Sequence, residues 1–193
     1  MTPDLEIRLT SGTGLRAEPA PRAKARGGPI LHGYAIIFHS LSSDLGGFRE
    51  RILPDAVTDS LNRNGVLALF NHNNSALLGR TRSGSLALTV DTHGLAFELQ
   101  LPKTQLGTDV AELVARGDVS QMSFGFIVPS GGDVWSSERG QTIRTVRQME
   151  LFEISLVPEP AYERTSVALR AALDTVIAAE LAARRKRLEE MVR

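Results

Sequence analysis

The sequence pattern predicts that the side chain of one serine, Ser123, does not contribute to the packing of the hydrophobic core. Ser123 belongs to the stretch 122–128, in which large apolar residues alternate with smaller ones, the period of a β-strand with one buried face. Ser123 therefore points to the other face, and Gly125 shares that face and leaves room for another chain or a substrate to approach. A serine on a half-exposed strand usually contacts only solvent, so a functional role for Ser123 depends on its neighbours.

A serine hydroxyl needs a base to attack a carbonyl at neutral pH, and histidine, with an ordinary pKa of about 6.5, is the usual one. The chain has four histidines. His32 lies among bulky residues of a predicted strand, and His39 and His93 lie in a predicted loop and turn. His72 directly follows the apolar run 66–70, a position that is held on one side and accessible on the other. His72 is therefore the candidate base.

A catalytic imidazole also needs a third group that fixes its tautomer and supports its positive charge. Glu153 lies inside the apolar run 151–157, where a carboxylate is unfavourable unless it is paired or hydrogen-bonded. Its predicted partner is either one of the many arginines or a ring nitrogen of His72. Glu150 is the rival acid, but in a regular strand the offset of three residues places it on the opposite face, nearer to solvent.

Composition excludes several other kinds of chemistry. The chain has 193 residues with 42% hydrophobic residues, 23% charged residues and a net charge of zero, so it is typical of a globular protein and gives no sign of nucleic-acid binding. It contains no cysteine, which excludes a disulfide framework, a thiolate metal site and a cysteine nucleophile. No apolar run approaches the roughly 20 residues of a membrane span, and the polar start is unlike a signal peptide, so we expect a cytoplasmic protein.

Motifs of other hydrolases are absent. Gln121 occupies the first glycine position of G-x-S-x-G, which argues against an α/β-hydrolase. His72 is followed by Asn73 and Asn74 rather than by the pattern H-E-x-x-H of zinc peptidases, and no phosphate-binding loop is present. The sequence therefore predicts neither a metal nor a cofactor.

The chain divides into three parts that differ in composition and in the spacing of their apolar residues. Residues 1–28, rich in Pro, Gly, Ala and Arg, predict a mobile tail with a short strand at 5–9, and residues 29–164 predict a mostly β domain. Residues 165–193 carry apolar side chains at helical spacing and predict a long amphipathic helix, which either packs on the domain or binds a partner. Helices are predicted at 54–64 and 108–116, the second capped by Thr108. Strands are predicted at 30–38, 49–53, 66–70, 76–80, 85–90, 95–101, 120–128 and 150–157, with a hairpin within 131–147.

Three motifs in this order resemble the head maturation (prohead) serine proteases of tailed phages. They are Asn71-His72, the run from Met122 to Phe126, and the run from Glu153 to Val157 followed by Pro158 and Ala161. The resemblance covers about residues 31–170. It implies a mainly β protein with flanking helices, a closed or partly closed β-barrel of the herpesvirus-protease type, and a long C-terminal helix added to that barrel.

The resemblance also implies roles for the candidate residues. His72 becomes the general base, Ser123 the nucleophile and Glu153 the orienting acid of a serine endopeptidase. Family members often carry an acidic residue after the histidine, where this chain has Asn73. The herpesvirus relatives use a second histidine as the third member, and no histidine follows Ser123 here, so a carboxylate must serve.

The sequence offers several candidate hydrogen-bond donors for the oxyanion of the reaction and does not select among them. The backbone amides of Phe124 and Gly125 are available, and Arg80 or Arg82 offers a side-chain donor, although both arginines also suit an ordinary surface role. A substrate chain is expected to add as a strand beside the site.

The implied setting is the procapsid in the host cytoplasm. The expected substrates are the major capsid protein and a scaffold segment, and the enzyme is expected to cut itself too, with the N-terminal tail and the C-terminal helix as candidate regions. A homo-oligomer is possible through that helix, and neither nucleic acid nor membrane is expected as a partner. The alternative is a non-enzymatic scaffold or internal structural protein of the same fold.

Overall fold

The computed structural model describes residues 5–10, 12–18, 27–63 and 65–158. This part of the chain is mainly β, with twelve strands and two α-helices. The strands are β1 Leu5–Thr10, β2 Arg16–Glu18, β3 Ile30–Ile37, β4 Arg49–Ile52, β5 Leu67–Phe70, β6 Asn73–Arg80, β7 Leu86–Val90, β8 Gly94–Gln100, β9 Val119–Ile127, β10 Asp133–Glu138, β11 Gln141–Val146 and β12 Glu150–Pro158; the helices are α1 Thr58–Arg63 and α2 Gln105–Arg116. A 3-10 turn, Pro54–Val57, leads into α1.

The strands form three hydrogen-bonded sheets. The five-stranded sheet has the order β1-β9-β12-β5-β6, the four-stranded sheet the order β2-β3-β8-β7, and the three-stranded sheet the order β10-β11-β4. All pairs are antiparallel except β12 with β5 and β11 with β4. The strand that carries Ser123, β9, lies between β1 and β12.

The hydrophobic core joins the five-stranded and four-stranded sheets. The alternation seen in the sequence places Met122, Phe124 and Phe126 of β9 in this core, where each side chain is at most 3% exposed. Residues of β3 and β8 contribute from the four-stranded sheet, and Val110 and Val114 of α2 belong to the same cluster. The face of β9 that carries Ser123 is therefore the face directed away from this core.

The predicted barrel is wrong. Within the described ranges each sheet ends in edge strands, and no continuous ring of hydrogen-bonded strands closes. The sheets instead pack on one another through their apolar faces. Alternating hydrophobicity cannot distinguish the two arrangements, because a strand buries one face in a barrel and in a stack of sheets alike. The long C-terminal helix predicted at 165–193 lies outside the described residues, and the two α-helices inside them are short.

Helix α2 begins three residues earlier than the sequence pattern predicts. Its N-cap is Thr104 rather than Thr108, and the Thr104 hydroxyl accepts a hydrogen bond of 3.3 Å from the Gly107 amide. A Cβ at Gly107 would lie 2.1 Å from the Pro102 carbonyl oxygen, so only glycine fits in this first turn. A glycine required by close packing looks like a helix breaker in the sequence, which explains the misplaced boundary.

None of the helices in the described ranges combines the length and apolar character needed to cross a membrane.

A cluster of five charged side chains joins β1 to the three-stranded sheet. The Arg8 guanidinium contacts Glu50 at 2.9 Å and Glu6 at 2.5 Å. Arg144 contacts Glu50 at 3.0 Å and Asp133 at 2.6 Å, and it also pairs with Glu6. The Glu50 side chain is only 2% exposed. Its burial raises the pKa of the Glu50 carboxyl above the ordinary value of 4.5, and the two arginines offset only part of that effect.

This raised pKa makes the stability of the protein depend on pH through Glu50. The folded state holds the Glu50 proton more tightly than the unfolded chain, so the contribution of this group to the free energy of unfolding is largest below pH 4.5 and falls as pH rises through the raised pKa. The variant Glu50→Gln lacks this titration. Its free energy of unfolding, measured by urea denaturation, should improve relative to wild type as pH rises from about 4 to about 7. The exposed Glu112→Gln serves as control, and an equal pH profile for Glu50→Gln and wild type would contradict the assignment.

Candidate functional site

His72 lies in a two-residue turn with an unusual backbone. The turn connects Phe70 of β5 to its partner Asn73 of β6, and its residues Asn71 and His72 have φ of 53° and 56°. Positive φ at both positions is the pattern of a type I′ hairpin turn, in which Asn-Gly is preferred. A histidine in place of the glycine costs roughly 1 to 2 kcal/mol. Backbone strain of this kind is concentrated at functional sites.

The His72 ring is held by a buried carboxylate. Its Nδ1 lies 2.6 Å from Oε1 of Glu153, and the exposed fractions of these two side chains are only 5% and 1%. A carboxylate oxygen can only accept a hydrogen bond, so Nδ1 donates and Nε2 of the neutral ring carries the lone pair. Nε2 is therefore the nitrogen that can accept a proton.

Ser155 completes the support of this pair. Its hydroxyl donates to Oε2 of Glu153 at 2.5 Å and accepts from the backbone amide of His72 at 3.2 Å. Ser155 is fully buried. One hydroxyl thus fixes both the second carboxylate oxygen of Glu153 and the backbone of the turn that carries His72.

A β-bulge directs Glu153 towards this site. The pairing of β12 with β9 shifts between Leu151, which is opposite Phe126, and Glu153, which is opposite Gly125. Without the extra residue, Leu151 and Glu153 would share a face. The same shift overturns the argument against Glu150. It pairs with Ile127 and so lies on the side of the sheet that carries Glu153, yet among the described residues it makes no hydrogen bond with His72.

Gly125 gives the carboxylate its space. A Cβ built at Gly125 would lie 2.8 Å from Oε1 of Glu153, the oxygen that pairs with His72. This distance is too short for any side chain. The sequence correctly indicated that something approaches closely here, and the approaching group is the Glu153 carboxylate.

Ser123 lies on the same side of the sheet as Glu153 and Ser155. It is directly opposite Ser155 on β12 and Leu9 on β1, and directly opposed residues share a face with Cα atoms about 5 Å apart. The hydroxyl of Ser123 donates to the carbonyl oxygen of Arg8 at 2.9 Å. Within the described part of the chain it makes no hydrogen bond with His72. The predicted catalytic residues Ser123 and Glu153 are thus on neighbouring strands, His72 is in the turn after β5, and the Ser123 hydroxyl is engaged with β1.

The predicted oxyanion donors are placed differently from one another. Phe124 and Gly125 are paired with β1 on one side and β12 on the other, so their amides face neighbouring strands. Arg80 is opposite Leu67 of β5, and Leu67 is opposite Glu153, so Arg80 is two strands from the acid. Its Nε is buried and has no hydrogen-bond partner among the residues that the structure describes. These donor roles remain predictions.

The other histidines have separate environments. His32 Nε2 lies 3.6 Å from Glu18, and the His93 ring packs edge-on against Tyr34. No group of three or more His, Asp or Glu side chains in the described ranges could hold a metal ion.

The site residue that the sequence analysis missed is Ser155. It was visible as a polar residue two positions after Glu153 in an apolar strand, the spacing at which two side chains share a face. Its short side chain does not carry the desolvation cost that made Glu153 conspicuous, so the signal was weak.

Removing the Ser155 hydroxyl should loosen the His72–Glu153 pair. We expect Ser155→Ala to lower the free energy of unfolding by about 1 to 3 kcal/mol, because it leaves a buried carboxylate oxygen without its donor. We also expect a changed NMR signal of the His72 Nδ1 proton. Urea denaturation and proton NMR measure the two effects, with exposed Ser137→Ala as control. If Ser155→Ala behaved like Ser137→Ala in both measurements, this supporting role would be disproved.

Comparisons with known proteins identify a family and a similar fold. The model of the caudovirus prohead serine protease family matches residues 18–178. No curated protein matches the chain. Among solved structures, the bacteriophage T4 capsid assembly protease gp21 matches with a TM-score of 0.56 and 12% identity, covering 80% of this chain and 98% of that chain; at this identity the likeness concerns the fold. Because the family model spans more than half of the sequence, the resemblance first seen in the motifs is confirmed, and the protein belongs to the caudovirus prohead serine protease family.

Proposed function

We propose that this protein is a serine endopeptidase that cleaves capsid or scaffold protein during procapsid maturation. The observation that carries the proposal is the buried pair of His72 and Glu153, oriented by Ser155, on the same side of the sheet as Ser123. A histidine fixed by a carboxylate beside a serine is the arrangement that nucleophilic acyl transfer requires.

The proposed reaction proceeds through an acyl-enzyme. Ser123 Oγ attacks the carbonyl carbon of a peptide bond while Nε2 of His72 takes the hydroxyl proton. The tetrahedral intermediate collapses, the C–N bond breaks, and His72 gives that proton to the leaving amine. Water then attacks the ester with His72 again as base, which regenerates the Ser123 hydroxyl and releases the carboxylic acid. Throughout, Glu153 accepts from Nδ1 and stabilises the imidazolium without taking the proton.

The family and the fold support the proposed substrates and place of action. The matching family is named for prohead proteases, and the structurally similar phage T4 protein is a capsid assembly protease. By this analogy the substrates are the major capsid protein and a scaffold segment, and the enzyme acts inside the procapsid within the host cell. Self-cleavage is part of the proposal, with residues 1–28 and 165–193 as the candidate regions.

Replacing the nucleophile tests the function directly. We expect the wild type, co-expressed with its cognate capsid protein, to shorten that capsid protein by a defined segment, and Ser123→Ala to leave it at full length. The reason is that alanine has no oxygen with which to form the acyl-enzyme. Intact-mass spectrometry of the capsid protein and of the enzyme gives the cleavage sites, and exposed Ser137→Ala should cleave like the wild type.

The same experiment decides against the proposal if the capsid protein keeps its full mass with wild-type enzyme while normal shells assemble. That result would favour a non-enzymatic scaffold that retains the site geometry. A shortened capsid protein with Ser123→Ala would contradict the assignment of the nucleophile, because a host protease or another residue would then perform the cut.

The space at Gly125 provides a second test. In Gly125→Ala the new methyl group would meet Oε1 of Glu153 at 2.8 Å, so the carboxylate must move away from His72. A displacement of about 1 Å in a catalytic group reduces kcat by about a hundredfold. We expect this loss in kcat with little change in KM, measured on a peptide that spans the mapped cleavage site. Gly131→Ala, at a glycine with positive φ and no close neighbour, separates the clash from a general effect of removing a glycine, and equal losses in both would contradict the mechanism.

A further inference from the structure

The N-terminal strand β1 pairs with β9, the strand that carries the nucleophile. It covers the edge of β9 that β12 leaves unpaired. All six residues of β1 pair antiparallel with β9, from Leu5 opposite Ile127 to Thr10 opposite Met122. The Arg8 carbonyl oxygen lies 2.9 Å from Oγ of Ser123 and accepts its hydrogen bond. An extended backbone with a carbonyl at the nucleophile is the arrangement in which a peptide substrate adds to a sheet edge.

Two side chains of β1 contact charged residues of the three-stranded sheet. Glu50, Arg144 and Asp133 form this group, which is called the charged recess below. Arg8 contacts Glu50 through its Nε at 2.9 Å and its Nη2 at 3.3 Å, and its guanidinium lies over the Phe126 ring. Glu6 contacts Arg144 through its Oε1 at 2.9 Å. The recess therefore binds an acidic and a basic side chain that are two residues apart on one face of an extended chain.

The recess stays paired without β1. Arg144 contacts Glu50 at 3.0 Å and Asp133 at 2.6 Å, so neither the buried Glu50 nor Arg144 loses its last partner when Glu6 and Arg8 leave. Glu6 and Arg8 carry opposite charges, so the net charge of the recess region does not change when β1 leaves. A buried charge without a partner would make release costly, and here that cost does not arise.

The other end of β1 is attached separately. The Thr10 hydroxyl donates to the Ala35 carbonyl oxygen at 2.8 Å, and the Thr13 hydroxyl donates to the Ser120 carbonyl oxygen at 3.0 Å. These contacts hold the chain at the far end of the strand. Residues 5–9 can therefore leave the edge of β9 while the chain remains anchored at Thr10 and Thr13.

We propose that β1 is an internal pseudosubstrate, which occupies the edge of β9 where a substrate strand pairs, and that Glu50 and Arg144 select substrates with an acidic and a basic residue two positions apart. This inference rests on the proposed function, since it names the substrate class of the same site. Occupation by β1 lowers the apparent affinity for a substrate strand in proportion to the fraction of molecules in which the edge is open.

The test is a binding measurement that needs no catalysis. A fluorescent peptide with the sequence of residues 5–10, Leu-Glu-Ile-Arg-Leu-Thr, is titrated with full-length Ser123→Ala protein and with the same protein carrying Arg8→Glu. Arg8→Glu places an acid beside Glu50 and Glu6 and should release β1. We expect the peptide to bind the Arg8→Glu protein about tenfold more tightly, the scale of one charged contact, as measured by fluorescence anisotropy.

Matched controls separate this effect from simple loss of structure. A peptide with Glu and Arg exchanged should bind the Arg8→Glu protein about tenfold more weakly than the original peptide. Arg16→Glu, on the exposed strand β2, should bind like the parent. A double variant, Glu6→Ala with Arg8→Ala, removes one charge of each sign, and we expect it to bind the peptide as tightly as Arg8→Glu does.

The inference is overturned if both β1 variants lose cooperative unfolding, because β1 would then be a structural strand. It is also overturned if Arg8→Glu and its parent bind the original peptide equally, or if the exchanged peptide binds as well as the original.

Failure of the proposed function gives a different result. In that case wild-type enzyme leaves the capsid protein uncut, whereas the peptide still binds the Arg8→Glu protein. Conversely, cleavage of capsid protein without peptide binding would support the function and reject the pseudosubstrate.

Discussion

The site depends on one buried carboxylate. Glu153 lies in an apolar strand and is 1% exposed, and an ion in such surroundings is tolerated only with strong hydrogen bonds to both oxygens. His72 supplies the donor for one oxygen and Ser155 the donor for the other. The bulge in β12 turns the carboxylate towards these donors, and the missing side chain of Gly125 leaves room for it. The need to satisfy one acid therefore explains features on two strands and one turn.

The same requirement explains the strained turn. Because β12 and β5 are parallel neighbours, the chain that leaves β5 at Phe70 emerges beside Leu156, and the Asn71 amide donates to the Leu156 carbonyl oxygen at 2.9 Å. Left-handed backbone at Asn71 and His72 then reverses the chain within two residues. A glycine would relax the second position, yet it would remove the donor that Glu153 requires. The cost in backbone strain is thus offset by the pairing of a buried charge.

Sequence reasoning succeeded where one residue type carried a large energetic consequence. An acid among apolar residues predicted a partner for Glu153, and alternating hydrophobicity placed Ser123 on the side of β9 opposite Phe124 and Phe126. Sequence reasoning failed where the structure depends on which segments, distant in sequence, pair with one another. Periodicity shows that a strand has a buried face, but it does not show which strands are hydrogen-bonded, so the three sheets were mistaken for a barrel. The bulge before Glu153 also left no trace in composition, and a regular strand put Glu150 on the wrong face.

The pairing of β9 connects the proposed mechanism to the proposed pseudosubstrate. In a paired strand every backbone amide is directed to one neighbour or the other, so the Phe124 and Gly125 amides are engaged while β1 and β12 flank them. An amide on the β1 side can bind an oxyanion only after β1 has left, and a substrate strand in the same register would satisfy the remaining amides that β1 had paired. The Ser123 hydroxyl, now bonded to the Arg8 carbonyl oxygen, would lose that acceptor in the same step. Departure of one short strand would thus free the proposed nucleophile, the proposed substrate edge and a donor for the oxyanion together. The pair of His72 and Glu153 would stay unchanged, because its contacts are with β12 and the turn after β5.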